Sequence, residues 1–286
     1  MPRTLRPGQR SELYVVDVAT GDRRSVFGSA EVLFEAPNWL PDGTLVVNGN
    51  GLLFRVGDGL EEIKLGGVPA INNDHVVGPD GQTVYVSAED GHIYAVPIAG
   101  GTGRRVTNDR GPRFHHYLHG VSPDGSTLAY IGLEWVGERR VTNVWTIPSG
   151  GGADVQVTND EFADDGAEYS PDGEWIYFNS ERAARVPGHA QLFRVPVRGG
   201  AAEQLTFDDR VNWFPHPAPD GSAIAYVSFP PGVEGHPADV ADVRLRLLTA
   251  TGEIRELTAL FGGQGTMNVP SWSPDSTAIA YVAYPI

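Results

Sequence analysis

The chain contains no cysteine and, among 286 residues, a single lysine, Lys64. The first absence excludes disulfides, thiolate metal sites and thiol nucleophiles. The second leaves Schiff-base chemistry one residue, and that residue falls in an outer strand. No Gly-x-Ser-x-Gly elbow is present, so a serine nucleophile of the hydrolase type is not indicated. Long apolar runs are missing as well: nothing approaches the roughly 18 consecutive apolar residues of a membrane helix. The opening Met1-Pro2-Arg3-Thr4-Leu5-Arg6-Pro7 is not followed by an apolar stretch of signal-peptide length. The expectation is a cytoplasmic protein with no membrane partner. Basic charge is scarce, with 21 Lys and Arg against 36 Asp and Glu and a net charge of −15. That balance argues against a nucleic-acid partner, whose phosphates select basic patches.

Turn residues are plentiful, with 36 glycines and 22 prolines. Many of them belong to one phrase: Pro41-Asp42-Gly43, Pro79-Asp80-Gly81, Pro123-Asp124-Gly125, Pro171-Asp172-Gly173, Pro219-Asp220-Gly221 and Pro274-Asp275-Ser276. Successive copies lie 38, 44, 48, 48 and 55 residues apart, the spacing of propeller blades. A β-prone run follows each copy, as in Thr127–Ile131 and Ile279–Val282. A second run with a central aromatic comes next (His92–Val96, Asn143–Ile147, Gln191–Val195), then a glycine-rich turn and a strand ending in Val-Thr or Leu-Thr. Such alternation reads as four-stranded antiparallel units. The first segment, Ser11–Phe27, supplies two outer strands without an inner pair, and Val269–Tyr284 supplies two inner strands without an outer pair. Joining them closes the ring and removes open sheet edges. The fold class expected is therefore all-β, a six-bladed propeller in which N- and C-terminal strands share one blade. It forms a single domain over 1–286, with blades near 35–66, 71–107, 115–158, 164–206, 212–258, and 267–286 plus 11–28.

The Trp272-Ser273-Pro274-Asp275 phrase with Ile279-Ala280-Tyr281, and Ser122-Pro123-Asp124-Gly125 with Leu128-Ala129-Tyr130, resemble the TolB-type, WD-like propeller family. The resemblance spans nearly the whole chain and implies the fold rather than an activity, since this architecture hosts unrelated chemistries. The N-terminal domain and export signal of TolB itself are not seen, so a role in the Tol envelope complex is not carried over.

Functional residues are sought where the fold does not require them. The turn Asp residues read as backbone caps, and the aromatics of the second and third strands as packing between blades. The innermost strand precedes each turn phrase and lines the axis. Its windows are polar: Asn72-Asn73-Asp74-His75, His115–His119, Asp164–Glu168, Asn212–His216 and Gln264–Asn268. Buried polar groups must be paired or hydrated, so a water-filled channel without a ligand is one reading. The functional reading is a pocket at one channel mouth, lined by Trp39, Asn73, Asp74, Asp165, Trp213, Gln264 and Asn268, for a small polar molecule of the sugar type. His75, His119 and His216, with Glu168 or Asp165, offer a nitrogen-rich set for a divalent metal such as Mn, Zn or Fe. In outline the set is similar to that of oligogalacturonate lyases, whose channel-mouth metal is held by histidines and a glutamine. It departs from that pattern in a lone His216 followed by Pro217, and in Gln264 standing in another window.

Two insertions, Phe229–Asp242 and the glycine-rich Leu260–Met267, are placed to cap such a pocket. Without Cys, a serine elbow or a second lysine, the chemistry left is acid–base elimination or hydrolysis, metal-assisted or not. His119 or His216 would serve as base, and Glu168 and Asp165 as acid or metal ligand. The competing reading is a non-catalytic protein-interaction scaffold with an inert channel, using exposed aromatics such as Trp135.

Overall fold

A computed structural model describes residues 3–286. Six blades surround one axis. Blade 1 holds Glu35–Trp39, Leu45–Gly49, Leu52–Val56 and Leu60–Ile63. Blade 2 holds Ile71–Val77, Thr83–Ala88, Ile93–Pro97 and Arg104–Arg105. Blade 3 holds Phe114–Val121, Thr127–Val136, Arg139–Pro148 and Val155–Gln156, and blade 4 Asp164–Tyr169, Trp175–Ser180, Gln191–Pro196 and Glu203–Gln204. Blade 5 is Val211–Pro217, Ala223–Phe229, Val240–Thr249 and Ile254–Gly262. Each of these is an antiparallel sheet whose order from axis to rim is the order of the chain. The sixth blade joins the two chain ends, with Ala278–Ala283 paired to Ser11–Asp17 and Ser11–Asp17 to Arg23–Ser29. Its innermost element is reduced to the single bridge Trp272↔Ile279. The sequence reading of six blades and of terminal closure holds; only the last inner strand is less regular than expected.

The turn phrase does what its residues dictate. In all six copies the Asp Oδ1 accepts a hydrogen bond from the backbone N–H two residues on, at 2.9–3.1 Å. The following residue sits in the left-handed region: Gly125 has φ 72° and Gly173 φ 72°. Ser276 adopts φ 61° in the divergent copy, where the glycine is missing and the corner is still made.

Burial is organised by seams. Six apolar clusters are found among the described residues, one between each pair of neighbouring blades. The seam between blades 4 and 5 is the poorest in apolar groups, with Leu192, Tyr226 and Leu248 as its buried members. Polar bonds supplement it: Phe214 N–H to Asn179 Oδ1 at 3.0 Å, Asn212 N–H to Ala190 O at 2.9 Å, and Asn212 Nδ2 to Thr206 Oγ1 at 3.3 Å.

Close to the axis, inner strands approach so tightly that side chains are excluded. A Cβ at Gly120 would lie 2.9 Å from Ala167 O and 3.0 Å from Glu168 Cα. Both are backbone atoms and cannot swing away. Gly120→Ala is therefore expected to cost about 1–3 kcal/mol through overpacking, read as a lowered midpoint in urea unfolding. An unchanged midpoint would show that the blade 3–blade 4 contact yields to a methyl group.

Candidate functional site at the channel mouth

All five regular inner strands carry a register break, between Glu35/Asn38, Ile71/His75, Leu118/Gly120, Asp165/Glu168 and Trp213/His216. In three of them the bulge contains a left-handed residue five positions before the turn proline: Ala36 (φ 55°), Gly166 (φ 68°) and Phe214 (φ 55°). A bulge interrupts strict alternation and re-aims side chains. Which members of each polar window face the channel is therefore set blade by blade.

The result is a cavity of about 180 Å³ at the end of the axis where the inner strands begin, lined by Asp74, Tyr117, His119, Asp165, Phe214, His236 and Gln264, with Ile131, Leu133, Arg140 and Thr142 from blade 3. His119 is its centre. His119 Nε2–H donates to Asp165 Oδ1 at 2.9 Å, and Nδ1–H donates to Asn268 O at 3.2 Å across the ring. A carboxylate and a carbonyl can only accept, so with the carboxylate ionised both ring nitrogens carry protons. Burial works against that charge, but Asp74 and Asp165 outweigh it and hold the imidazole up at about 9. Asp165, despite burial, stays below the usual carboxylate range because of His119 and, more weakly, His236.

Asp74 behaves oppositely. Its carboxylate accepts from Asn268 Nδ2 at 3.0 Å and from Asn72 Nδ2 at 2.8 Å. Burial, reinforced by Asp165 and opposed by His119, pushes it up to about 6. Asp74 is thus a cavity carboxyl whose protonation changes close to neutrality. His236 Nε2 stands 3.5 Å from Asp165 Oδ2, and its ring lies against Trp213 (4.6 Å) and Phe214 (5.5 Å). Burial holds it below the ordinary histidine value. Arg140 adds a cation at the rim that pairs with no carboxylate among the described residues.

Behind this layer lies a second pair. His216 Nε2–H donates to Met267 O at 3.1 Å, and a 2.5 Å contact between His216 Nδ1 and Glu168 Oε2 holds one proton between them. Burial pushes the Glu168 carboxyl up against the pull of His216. Neither residue reaches the cavity. The base role expected of His119 or His216, and the acid role of Glu168, are not supported by these positions, because both imidazoles have their two nitrogens engaged and Glu168 is sealed by its partner.

The metal reading fares similarly. No group of three or more His, Asp or Glu side chains with metal-holding geometry occurs among the described residues. Coordination by His119 or His216 would require breaking the hydrogen bonds just described. His75 is fully buried, both of its nitrogens lack a partner, and burial drives it down to about 3. The set His75, His119 and His216 thus does not form a metal centre in this structure.

Of the expected ligand-binding residues, Asp74, Asp165 and Gln264 line the cavity, and Asn268 supports it from below. Asn73 contributes its carbonyl, which accepts from Asn268 Nδ2 at 3.2 Å. Trp213 is core, serving as a wall for His236. Trp39 lies at the other end of the molecule. Its Nε1–H donates to Ser271 O at 3.0 Å, and it lines an open 690 Å³ cleft among the turn phrases with Asp42, Asp275, Arg23 and Arg24. That cleft is larger, but Asp42 and Asp275 are committed to their own turns, so the channel mouth is the better organised site. Arg140 and Thr142 went unnoticed in the sequence. The signal for them is length: Thr127–Val136 and Arg139–Pro148 run to 10 residues each, overhanging the mouth where the paired strands of blade 4 have 6.

Residues 120–256 match the family model of the TolB beta propeller domain. An uncharacterized protein of Agrobacterium fabrum is 41% identical over 285 residues, covering 96% of this chain and 92% of the relative. The solved structure of a TolB-type protein from Agrobacterium tumefaciens superposes with a TM-score of 0.88 at 39% identity, covering 97% of this chain and 99% of that one. An oligogalacturonate lyase in complex with manganese shares the fold at a TM-score of 0.61 and 14% identity, covering 96% and 76% of the two chains. No helix among the described residues is long and apolar enough to cross a membrane. Repeat phrase, blade topology and full-length similarity agree: the chain belongs to the TolB-like β-propeller family.

Proposed function

We propose that the channel mouth binds one small polar ligand of carbohydrate character, held between the His119–Asp165 ion pair, Asp74 and the rim cation Arg140. The observation that carries this reading is the convergence of Asp74, His119, Asp165 and His236 from three inner strands and one inserted loop around open space. The carboxylates of Asp74 and Asp165 supply acceptors, and Arg140 and Gln264 supply donors, on the same lining, which suits a molecule bearing several hydroxyls. Phe214, Ile131 and Leu133 supply the apolar face that such pockets use alongside a few convergent polar groups. The volume, about 180 Å³, lies below the roughly 300–1,000 Å³ typical of drug-sized ligands. It therefore fits a monosaccharide-sized unit. Should a reaction follow binding, Asp74 is the residue placed to exchange a proton near neutral pH, with His119 as a fixed positive charge beside it.

The test is thermal unfolding against a panel of neutral and acidic monosaccharides and polyols. A ligand at 100 times its Kd stabilises by about 2.7 kcal/mol. Asp74→Asn is expected to weaken binding roughly 10-fold or more, the worth of a hydrogen bond to a charged group. One observation favours the scaffold alternative. Trp135, Val136, Phe162, Val186 and Phe207 are exposed, and all lie on hairpins or connections that open toward the mouth face. If the whole panel leaves the midpoint unmoved, the scaffold reading takes precedence.

A further inference from the structure

The cavity is completed by two segments that belong to no inner strand of the first five blades: the connection after Phe229, which delivers His236, and the 3₁₀ turn Gln264–Thr266, which delivers Gln264. One side chain from the start of the described chain binds the first of them directly and reaches the second through Glu35. Arg3 Nη1 donates to Glu35 Oε1 at 2.6 Å, while Nη2 donates to Asp239 Oδ1 at 2.9 Å and Ala238 O at 3.1 Å. Its guanidinium also lies 3.9 Å from the centre of the Tyr284 ring. Ala238 and Asp239 stand two and three residues after His236. Glu35 packs against the turn, since a Cβ at Gly265 would overlap its carboxylate and the Tyr284 hydroxyl. The two segments also meet each other: Gln264 N–H donates to Pro237 O at 3.2 Å, and Gly263 leaves no room for a side chain against Pro237 and Ala238. Arg6 Nη2, at 3.0 Å from Asp239 Oδ2, and Gln9 Nε2, at 2.6 Å from Asp239 Oδ1, brace the same carboxylate.

We propose that Arg3 is a positioning residue of the channel-mouth site, a strap that bridges Asp239 and Glu35 and so fixes the His236 loop and the Gln264 turn together. A planar guanidinium is suited to this because its donors address two carboxylates and a carbonyl at once, which an ammonium on a flexible stem does not reproduce. The inference rests on the reading of the mouth as a binding site, but the strap itself can be tested without a ligand.

The experiment compares full-length wild type, Arg3→Ala, Arg3→Lys and Gly265→Ala by amide hydrogen exchange and by the NMR pH titration of the His236 ring, with His92 of blade 2 as an internal reference. Releasing the strap should speed exchange about tenfold or more across 233–239 and 263–266 while the inner strands keep their protection, as local opening does. It should also move the His236 titration upward as its ring gains water, leaving His92 in place. Arg3→Lys should fall between wild type and alanine. Gly265→Ala displaces Glu35 without removing a charge and should loosen the same two segments even if the Arg3 variants fold poorly. Unchanged exchange in both segments, or a uniform rise over all blades with His236 titrating as before, overturns the strap. Loosened segments together with a flat sugar panel would retain the strap and reject the sugar site.

Discussion

Replacing His119 with alanine is expected to destabilise the protein by about 3–5 kcal/mol at pH 7, the cost of leaving a buried charge without its partner. Asp74 and Asp165 face the same small space, and His119 is the cation between them. The sign of the pH dependence follows. In the folded state His119 holds its proton up to about 9 rather than 6.5. Its contribution is therefore complete below pH 6.5 and lost as pH rises through 9. At about 1.36 kcal/mol per pH unit this amounts to roughly 3 kcal/mol. Asp74, held up at about 6 from 3.8, gives a separate decline between pH 3.8 and 6. Urea unfolding at pH 5, 7 and 9 should show a falling alkaline limb in wild type and a flat one in His119→Ala. Adding Asp165→Asn to His119→Ala should recover part of the loss, because the orphaned charge is gone. A variant within about 1 kcal/mol of wild type at pH 7, or one that keeps the alkaline limb, would mean that His119 carries no buried proton.

The second large effect is expected at the pair behind the cavity. His216→Ala removes the partner of Glu168 and the donor to Met267 O, and the His216 carbonyl that accepts from Trp272 Nε1 at 2.8 Å would lose its fixed position. Blades 4, 5 and 6 are tied through this one residue, so a loss of about 3–5 kcal/mol is expected. Glu168→Gln should cost about 1 kcal/mol, because a carboxamide can donate to Nδ1 and stays neutral when buried. The double variant should then be much less unstable than the sum of the two, with a coupling of about 2 kcal/mol. Additivity, or a glutamine as damaging as the alanine, would show that the short contact is not an energetic pair. Because neither residue touches the cavity, both variants should leave ligand affinity unchanged where they remain folded, which separates this pair from Asp74 and His119.

The blades could be read from the chain because a turn is a local object. Pro sets one dihedral, Asp caps the amide two residues on, and Gly takes the left-handed corner; each act involves neighbours in sequence. Ring closure was legible for a related reason, since unpaired inner and outer strands at the two ends have one way to satisfy their edges. The polar windows were legible as anomalies, and three of the expected ligand residues, Asp74, Asp165 and Gln264, do meet at the mouth. The error lay in treating equivalent positions as equivalent directions. His75 and His119 both stand four residues before the turn proline, yet His119 bonds across the axis to Asn268 O while His75 has no partner. Trp213 and Asp165 likewise share a position six residues before the proline, and one is core while the other is ion-paired.

By itself, then, the sequence determined the repeat, the number of blades, the closure and the strip of residues from which a site had to come, since all of these follow from turn chemistry and strand pairing. Tertiary structure decided which side chains converge, that His119 and His216 have both ring nitrogens engaged in hydrogen bonds while His75 has none, and that Arg140 and His236 stand at the mouth. The physical reason is that bulge geometry, proton placement and the packing of inserted loops depend on what stands across the ring, tens to hundreds of residues away along the chain.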